Sequence, residues 1–232
     1  MKNLYLLLLF LASLTACGDK EDDAIGLDYP ATFTLTKHST ASPVRMFTAN
    51  GEVKDQAVIR SFTQRINMDY FSLENTVLDI SSWSEQVTFL NGTEAEVKTS
   101  SRSEGYEVSQ KDGDLLLTAK KESTILSPSQ THSSKVATGI LKHKPLKYNE
   151  VVLPPGSGAS SSYTTRAQMV ASLKDAEVHL HQLAHALKSG TQTSYSINAS
   201  KVLNKFDVSG VALLQATDTL LVQEFVMVGE KK

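Results

Sequence analysis

Cysteine is almost missing from this chain of 232 residues: Cys17 is the only one. No disulfide can form within the chain, so packing alone must hold the fold. An excess of basic charge is missing as well. Lys plus Arg number 23 against 25 Asp plus Glu, and no arginine cluster is interleaved with aromatics. That leaves nothing to neutralise a row of phosphates, and nucleic acid is excluded as a partner. The longest apolar run, Leu4 to Leu14, falls short of the roughly 20 residues a membrane-spanning helix needs. No Walker loop, Gly-x-Gly-x-x-Gly, Gly-x-Ser-x-Gly or His-Glu-x-x-His occurs. Nor does any repeat of fixed period.

What is present is the composition of an ordinary globular domain. Hydrophobic residues make up 41% of the chain and aromatics 7%, enough for a substantial core rather than disorder. Charge is placed unevenly. Residues 18–29 hold Asp19, Glu21, Asp22, Asp23 and Asp28 against Lys20 alone, and the rest of the chain is nearly neutral.

Met1-Lys2-Asn3 followed by the Leu4–Leu14 run has the form of a signal peptide. Leu14-Thr15-Ala16-Cys17 resembles the lipobox of bacterial lipoproteins, a hydrophobic residue, two small ones and a cysteine. The resemblance implies cleavage after Ala16, a diacylglycerol thioether on Cys17, and acylation of the new amine by a chain such as palmitate. With each buried methylene contributing about 0.8 kcal/mol, two or three chains hold a protein on a membrane where one does not. Lys20-Glu21-Asp22-Asp23 resembles the lysine-plus-acidic export signal of Bacteroidota surface lipoproteins. This implies a bacterial outer-membrane location with the folded part exposed. A solvated charged linker is the alternative reading of the same residues.

The folded part reads mainly as β. Phe33 and Leu35 alternate with Thr32, Thr34 and Thr36, and Val44 to Thr48 resumes an extended pattern after Pro43. Residues 55–66 read as an amphipathic helix, with Val58, Ile59, Phe62 and Ile66 at helical spacing and Asp55 as its cap. Two hairpins are the strongest signals. A three-residue loop at Asn91-Gly92-Thr93, with Gly92 free to take positive φ, pairs Phe89 with Ala95 and Val87 with Val97. A two-residue turn at Asp112-Gly113 pairs Val108 with Leu117 and Tyr106 with Ala119.

Residues 123–134 read as a surface loop, and Val136–Leu141 and Tyr148–Leu153 as strands. The Pro/Gly/Ser run at 154–162 reads as a connector. Residues 165–189 admit two readings. Met169, Leu173, Ala176, Leu180, Leu183 and Leu187 form a helical stripe ending at Gly190, which periodicity favours. Alternatively, a turn at 174–177 joins two strands with Val178, Leu180, Gln182, Ala184 and Ala186 on one side. Ser194 to Val202 alternates, Asp207 caps a short helical turn reaching Leu214, and Thr219–Val228 is an apolar strand that belongs inside a sheet.

The expected organisation is a signal peptide (1–16), a lipidated acidic tether (17–29), a β-rich domain (30–153), the connector (154–162) and a C-terminal α+β segment (163–232) on the same core. The expected fold class is mainly β or α+β, an antiparallel sandwich or barrel of hairpins with one or two helices.

One constellation invites a metal. On a helix, Glu177, His181 and His185 share a face and reach one zinc ion; on a strand, His179 and His181 share a face instead. Off the apolar stripe, the plainer reading is a solvated polar face. His38, His132 and His143 are isolated in sequence. Glu94 and Glu96 point outward in the hairpin register, so they form no hydrolytic carboxylate pair across a cleft. Trp83, with Tyr70 and Phe71, offers a sugar-stacking platform or simple rim packing.

The function expected is that of a cell-envelope lipoprotein, anchored in the membrane through Cys17, whose β domain binds a ligand or envelope protein without catalysis or cofactor. The hairpin-rich architecture behind a lipid anchor is similar to that of small lipocalin-like lipoproteins, which implies a barrel holding an apolar ligand. The alternatives are an extracellular hydrolase of glycans or peptides, with zinc at residues 177–185, and a structural part of an outer-membrane complex.

Overall fold

The computed structural model describes residues 25–66, 69–127, 131–154, 161–190 and 195–232. Cys17, Lys20, Glu21, Asp22 and Asp23 lie outside the described residues, as do residues 155–160 of the connector.

Eight antiparallel strands close into a barrel. They are β1 (Ala31–Thr40), β5 (Gln86–Asn91), β6 (Glu94–Lys98), β7 (Ser103–Lys111), β8 (Asp114–Ser127), β10 (Ser161–Lys174), β11 (Glu177–Gly190) and β13 (Thr219–Lys231). The ring runs β1-β5-β6-β7-β8-β10-β11-β13 and returns to β1. Closure leaves no barrel edge to aggregate. Alternation places one set of side chains inside: Phe33 and Leu35, Val87 and Phe89, Tyr106 and Val108, Leu115 and Leu117, Met169 and Ala171, Val178 and Leu180 all belong to one buried cluster.

Both hairpins form with the side-chain pairing the sequence predicts. Phe89 faces Ala95 and Val87 faces Val97. The Asn91–Thr93 loop differs in detail, because a bulge lies between Phe89 and Asn91 and Gly92 is not among the residues with positive φ. The Asn91 side chain accepts from Thr93 N at 2.9 Å and fixes the turn instead. At the second hairpin Val108 faces Leu117 and Tyr106 faces Ala119. Asp112 (φ 52°) and Gly113 (φ 79°) both take the left-handed conformation that a tight hairpin requires.

β11 and β13 run beyond the barrel and form a second sheet with β12 (Tyr195–Val202), β2 (Arg45–Thr48) and β3 (Gly51–Val53). Both faces of this sheet are covered. Leu183, Leu187, Leu220 and Val222 pack under α2 (His132–Gly139) and the 3₁₀ turn Val208–Leu213. Ala186 and Leu221 pack on Ile59 and Phe62 of α1 (Gln56–Ile66). Asp55 caps α1 as expected, accepting from Ala57 N at 2.8 Å. Val58 faces solvent rather than the core. Two short strands, β4 (Val77–Asp79) and β9 (Lys147–Val152), flank β1 and β10.

Three expectations change. Residues 165–189 form the β10–β11 hairpin, not a helix: Lys174 pairs with Glu177 across a turn in which Asp175 takes φ 55°. A helix there would satisfy its own backbone but leave the edge of β8 that pairs β10 and the edge of β13 that pairs β11 unpaired. The helical stripe arises because Leu183 to Leu187 is buried on both sheet faces, which blurs a period of two. The stretch from Val136 is helical rather than extended. Thr131 caps α2, and Val136 and Ile140, four apart, face one cluster. Finally, residues 123–134 are no simple loop, since β8 continues to Ser127 and α2 begins at His132.

Candidate functional site: a cavity at one end of the barrel

The barrel is solid at one end and hollow at the other. At the solid end Phe33 and Phe89 meet edge to face with ring centroids 5.9 Å apart. Gly229 lets the wall close in, because a Cβ there would lie 2.7 Å from Val178 Cγ1 and 3.2 Å from Phe33 Cβ. Toward the other end the same inward positions carry Leu35, Val97, Met169, Leu180 and Met227, which leave a cavity of about 510 Å³. That lies within the roughly 300–1,000 Å³ of a site for one small organic ligand.

Polar groups gather at the mouth. Tyr106 OH donates to Glu104 Oε2 at 3.0 Å, and Arg102 stands 3.9 Å from the same oxygen. Burial, reinforced by this hydrogen bond, pushes the Tyr106 phenol up to about 12, so it remains a donor. Lys201 lies over the rings of Phe225, at 5.2 Å, and Tyr70, at 5.7 Å. It pairs with no carboxylate among the described residues. His38 stacks on the same Phe225 at 5.3 Å and contacts Gln182 Oε1 at 3.3 Å. Burial lowers its pKa, which keeps the stack neutral.

Two segments outside the strands complete the wall. Leu141 and Pro145 come from one, Leu203 and Asn204 from the other. They are tied to each other: Lys142 N donates to Lys205 O at 3.0 Å, and Asn204 Nδ2 donates to His143 O at 2.6 Å. Asp114, 2% exposed at the start of β8, clasps both. Its carboxylate accepts from Lys142 Nζ at 2.7 Å, from His143 Nε2 at 2.9 Å and from Lys205 Nζ. Burial alone would raise the Asp114 pKa. The donations from Lys142, Lys205 and His143 reverse this and hold the carboxyl well below the usual range.

The chain matches no known protein family, no curated protein and no solved structure.

Strand geometry separates the histidines proposed for zinc. On β11, Glu177, His181 and His185 lie on one face but four residues apart, about 13 Å per step at the rise of a strand. Glu177 instead contacts His179 Nε2 at 2.8 Å. His181 contacts Ser172 Oγ at 2.8 Å. His185 is buried with Nδ1 unpartnered. Among the described residues no three His, Cys, Asp or Glu side chains converge on one position.

The isolated histidines each find a partner through the fold: His38 with Gln182, His143 with Asp114, and His132 with Asp218 Oδ2 at 2.5 Å. Trp83 is half exposed on a 3₁₀ turn at Ser81–Trp83, and Tyr70 lies under Lys201. Glu94 reaches Lys120 on the outer surface. Sequence reasoning missed Asp114, because it follows the Asp-Gly turn and reads as turn chemistry. Glu104 and Lys201 were equally invisible: only closure defines the inward side of β7, and Lys201 reaches the mouth from β12, outside the ring.

Proposed function

We propose that this chain is a binding protein which carries one small apolar or amphipathic molecule in the end of its barrel and is held at a bacterial cell envelope through lipid on Cys17. The observation that supports it is the cavity. An apolar floor with an ordered polar mouth is the usual construction of a ligand site, apolar contact giving affinity and a few fixed polar groups giving orientation. The Lys20-Glu21-Asp22-Asp23 run supports an outer-membrane, surface-exposed placement. The acidic tether leaves the nearly neutral barrel free to meet its ligand.

The test uses the neutral dye N-phenylnaphthylamine, whose fluorescence rises in an apolar site. The mature chain is expected to bind it at about one molecule per chain. Val97→Trp, which places a ring in the cavity, should weaken binding at least tenfold with an unchanged circular dichroism spectrum. Wild-type protein that takes up no dye, or a variant that binds as well as wild type, would overturn the reading.

A further inference from the structure

The end of the barrel that holds the cavity also carries exposed apolar side chains. Beyond Ala119, β8 leaves β7 and runs on beside β10, which β9 flanks on its other side. These strands form a tongue that projects past the cavity. On β9, Val151 is 56% exposed and Val152 83%. Consecutive strand residues point to opposite faces, so the tongue is uncovered on both faces at this place. Leu146, just before β9, is 72% exposed and follows Pro145 of the cavity wall. Across the mouth, β4 takes over the edge of β1 where β5 stops, and leaves Leu78 exposed. Trp83 is 49% exposed two residues before Glu85, which lines the cavity.

The solid end is different. Its turns present Asn91, Asp112 and Asp175, and Leu90 is the exposed large apolar side chain beside them among the described residues. Apolar side chains set on two sides of one opening mark a surface that something covers. Two observations point to lipid. Trp83 combines an apolar ring with a polar N–H, and Lys147 lays its stem over the ring of Tyr163 at 4.4 Å; such side chains suit a membrane–water interface. Arg102 and Lys147 stand among Glu104 and Glu150 at this end, so the contact is apolar rather than electrostatic. The second observation is reach. Ile25 and Leu27 pack on the barrel core near the solid end, where β1 begins. The span from Cys17 to Ile25 extends at most about 27 Å, against about 23 Å of strand from Ala31 to His38. A bilayer that holds Cys17 is therefore within reach of the mouth.

We propose that the open end of the barrel docks on the lipid surface that holds the anchor. Leu78 and Trp83 enter the interface on one side of the mouth, and Leu146, Val151 and Val152 on the other. An apolar ligand then passes between bilayer and cavity without crossing water. The inference rests on the reading of the chain as a lipid-anchored binding protein.

Trp83 is the only tryptophan and reports on its own surroundings. The test places the full lipidated chain in phosphatidylcholine vesicles whose acyl chains are plain or dibrominated. Trp83 emission is expected to be at least twofold lower in the brominated vesicles, at low and at high salt alike. Leu146→Ser combined with Val152→Ser should restore at least half of that loss while the protein still floats with the vesicles through its lipid. Protein that does not float overturns the anchor, and the docking with it. Protein that floats with equal emission in both vesicles overturns the docking alone, and protection of Trp83 from iodide in that case would assign the rim to a second copy of the chain. Quenching unchanged in the double variant would also overturn the proposal, because Trp83 would then meet lipid without the tongue.

Discussion

Asp114 is the side chain whose surroundings are most demanding. A carboxylate almost without solvent holds three donors from two different segments, and its loss would leave two ammonium groups and one imidazole facing an empty place. Removing one partner from a buried charge cluster costs about 3–5 kcal/mol; the partial exposure of Lys142 and Lys205 places this case toward the lower end. Asp114→Ala is therefore expected to lower the urea midpoint by about 3 kcal/mol of stability. It should also raise amide exchange in residues 141–145 and 203–206, while exchange in β5 and β6 stays near wild type. Uniform exchange across the chain would mean that Asp114 does not act locally as a clasp.

At the scale of elements, the tightest contact lies where α2 meets the 3₁₀ turn Val208–Leu213. A Cβ on Gly210 would stand 2.4 Å from Gly139 O and 2.6 Å from Ile140 N, both backbone atoms that cannot rotate away. A Cβ on Gly229 would meet chiefly side chains, Val178 and Leu35, which have some freedom to shift. Overpacking typically costs about 1–3 kcal/mol, and the unyielding neighbour places Gly210→Ala at the upper end, with Gly229→Ala below it. Calorimetric melts of the two variants give the order directly. A smaller loss for Gly210→Ala would show that α2 slides on the sheet.

The elements also show what sequence could not reveal. The two hairpins were legible because turn chemistry and cross-strand pairing agree within a dozen residues. Residues 165–189 were not, since Leu183 to Leu187 is covered on one face by α2 and on the other by α1, and burial on both faces erases the alternation that marks a strand. In α2 the cap Thr131 and the i, i+4 pair Val136 and Ile140 were the available signal. Their β-branched neighbours outweighed it.

For the whole molecule, titration runs in one direction. His185, His181 and His38 all have native pKa values lowered by burial. Between the ordinary imidazole value of about 6.5 and those lower native values, the unfolded chain binds more protons than the folded one. Stability therefore falls as pH drops from 7 toward 5. Asp114 and Asp218, whose carboxyls are held low by their donors against the cost of burial, add a further loss as pH falls through the carboxylate range. Urea midpoints at pH 7 and pH 5 are expected to differ, and His185→Leu should reduce that difference because the imidazole it removes has no hydrogen-bond partner for Nδ1. An unchanged difference would show that His185 does not titrate in this window.

The sequence by itself determined the class of the fold and the local pairing, because strand alternation, a capped helix and an Asp-Gly turn are settled by neighbours along the chain. It also carries Leu14-Thr15-Ala16-Cys17, which resembles a lipobox, and the acidic run after it, because such patterns are written as contiguous residues. Only the tertiary structure decided that the strands close, that β11 and β13 continue into a second covered sheet, and that one end stays hollow. Closure is a matter of which distant edges meet, here β11 with β13 and β13 with β1. For the same reason Glu104, Lys201 and the Asp114 clasp appeared only in three dimensions. Lys201 and Asp114 depend on partners dozens of residues away, whereas Glu104 meets its near neighbours Arg102 and Tyr106 but lines the cavity only because the barrel closes.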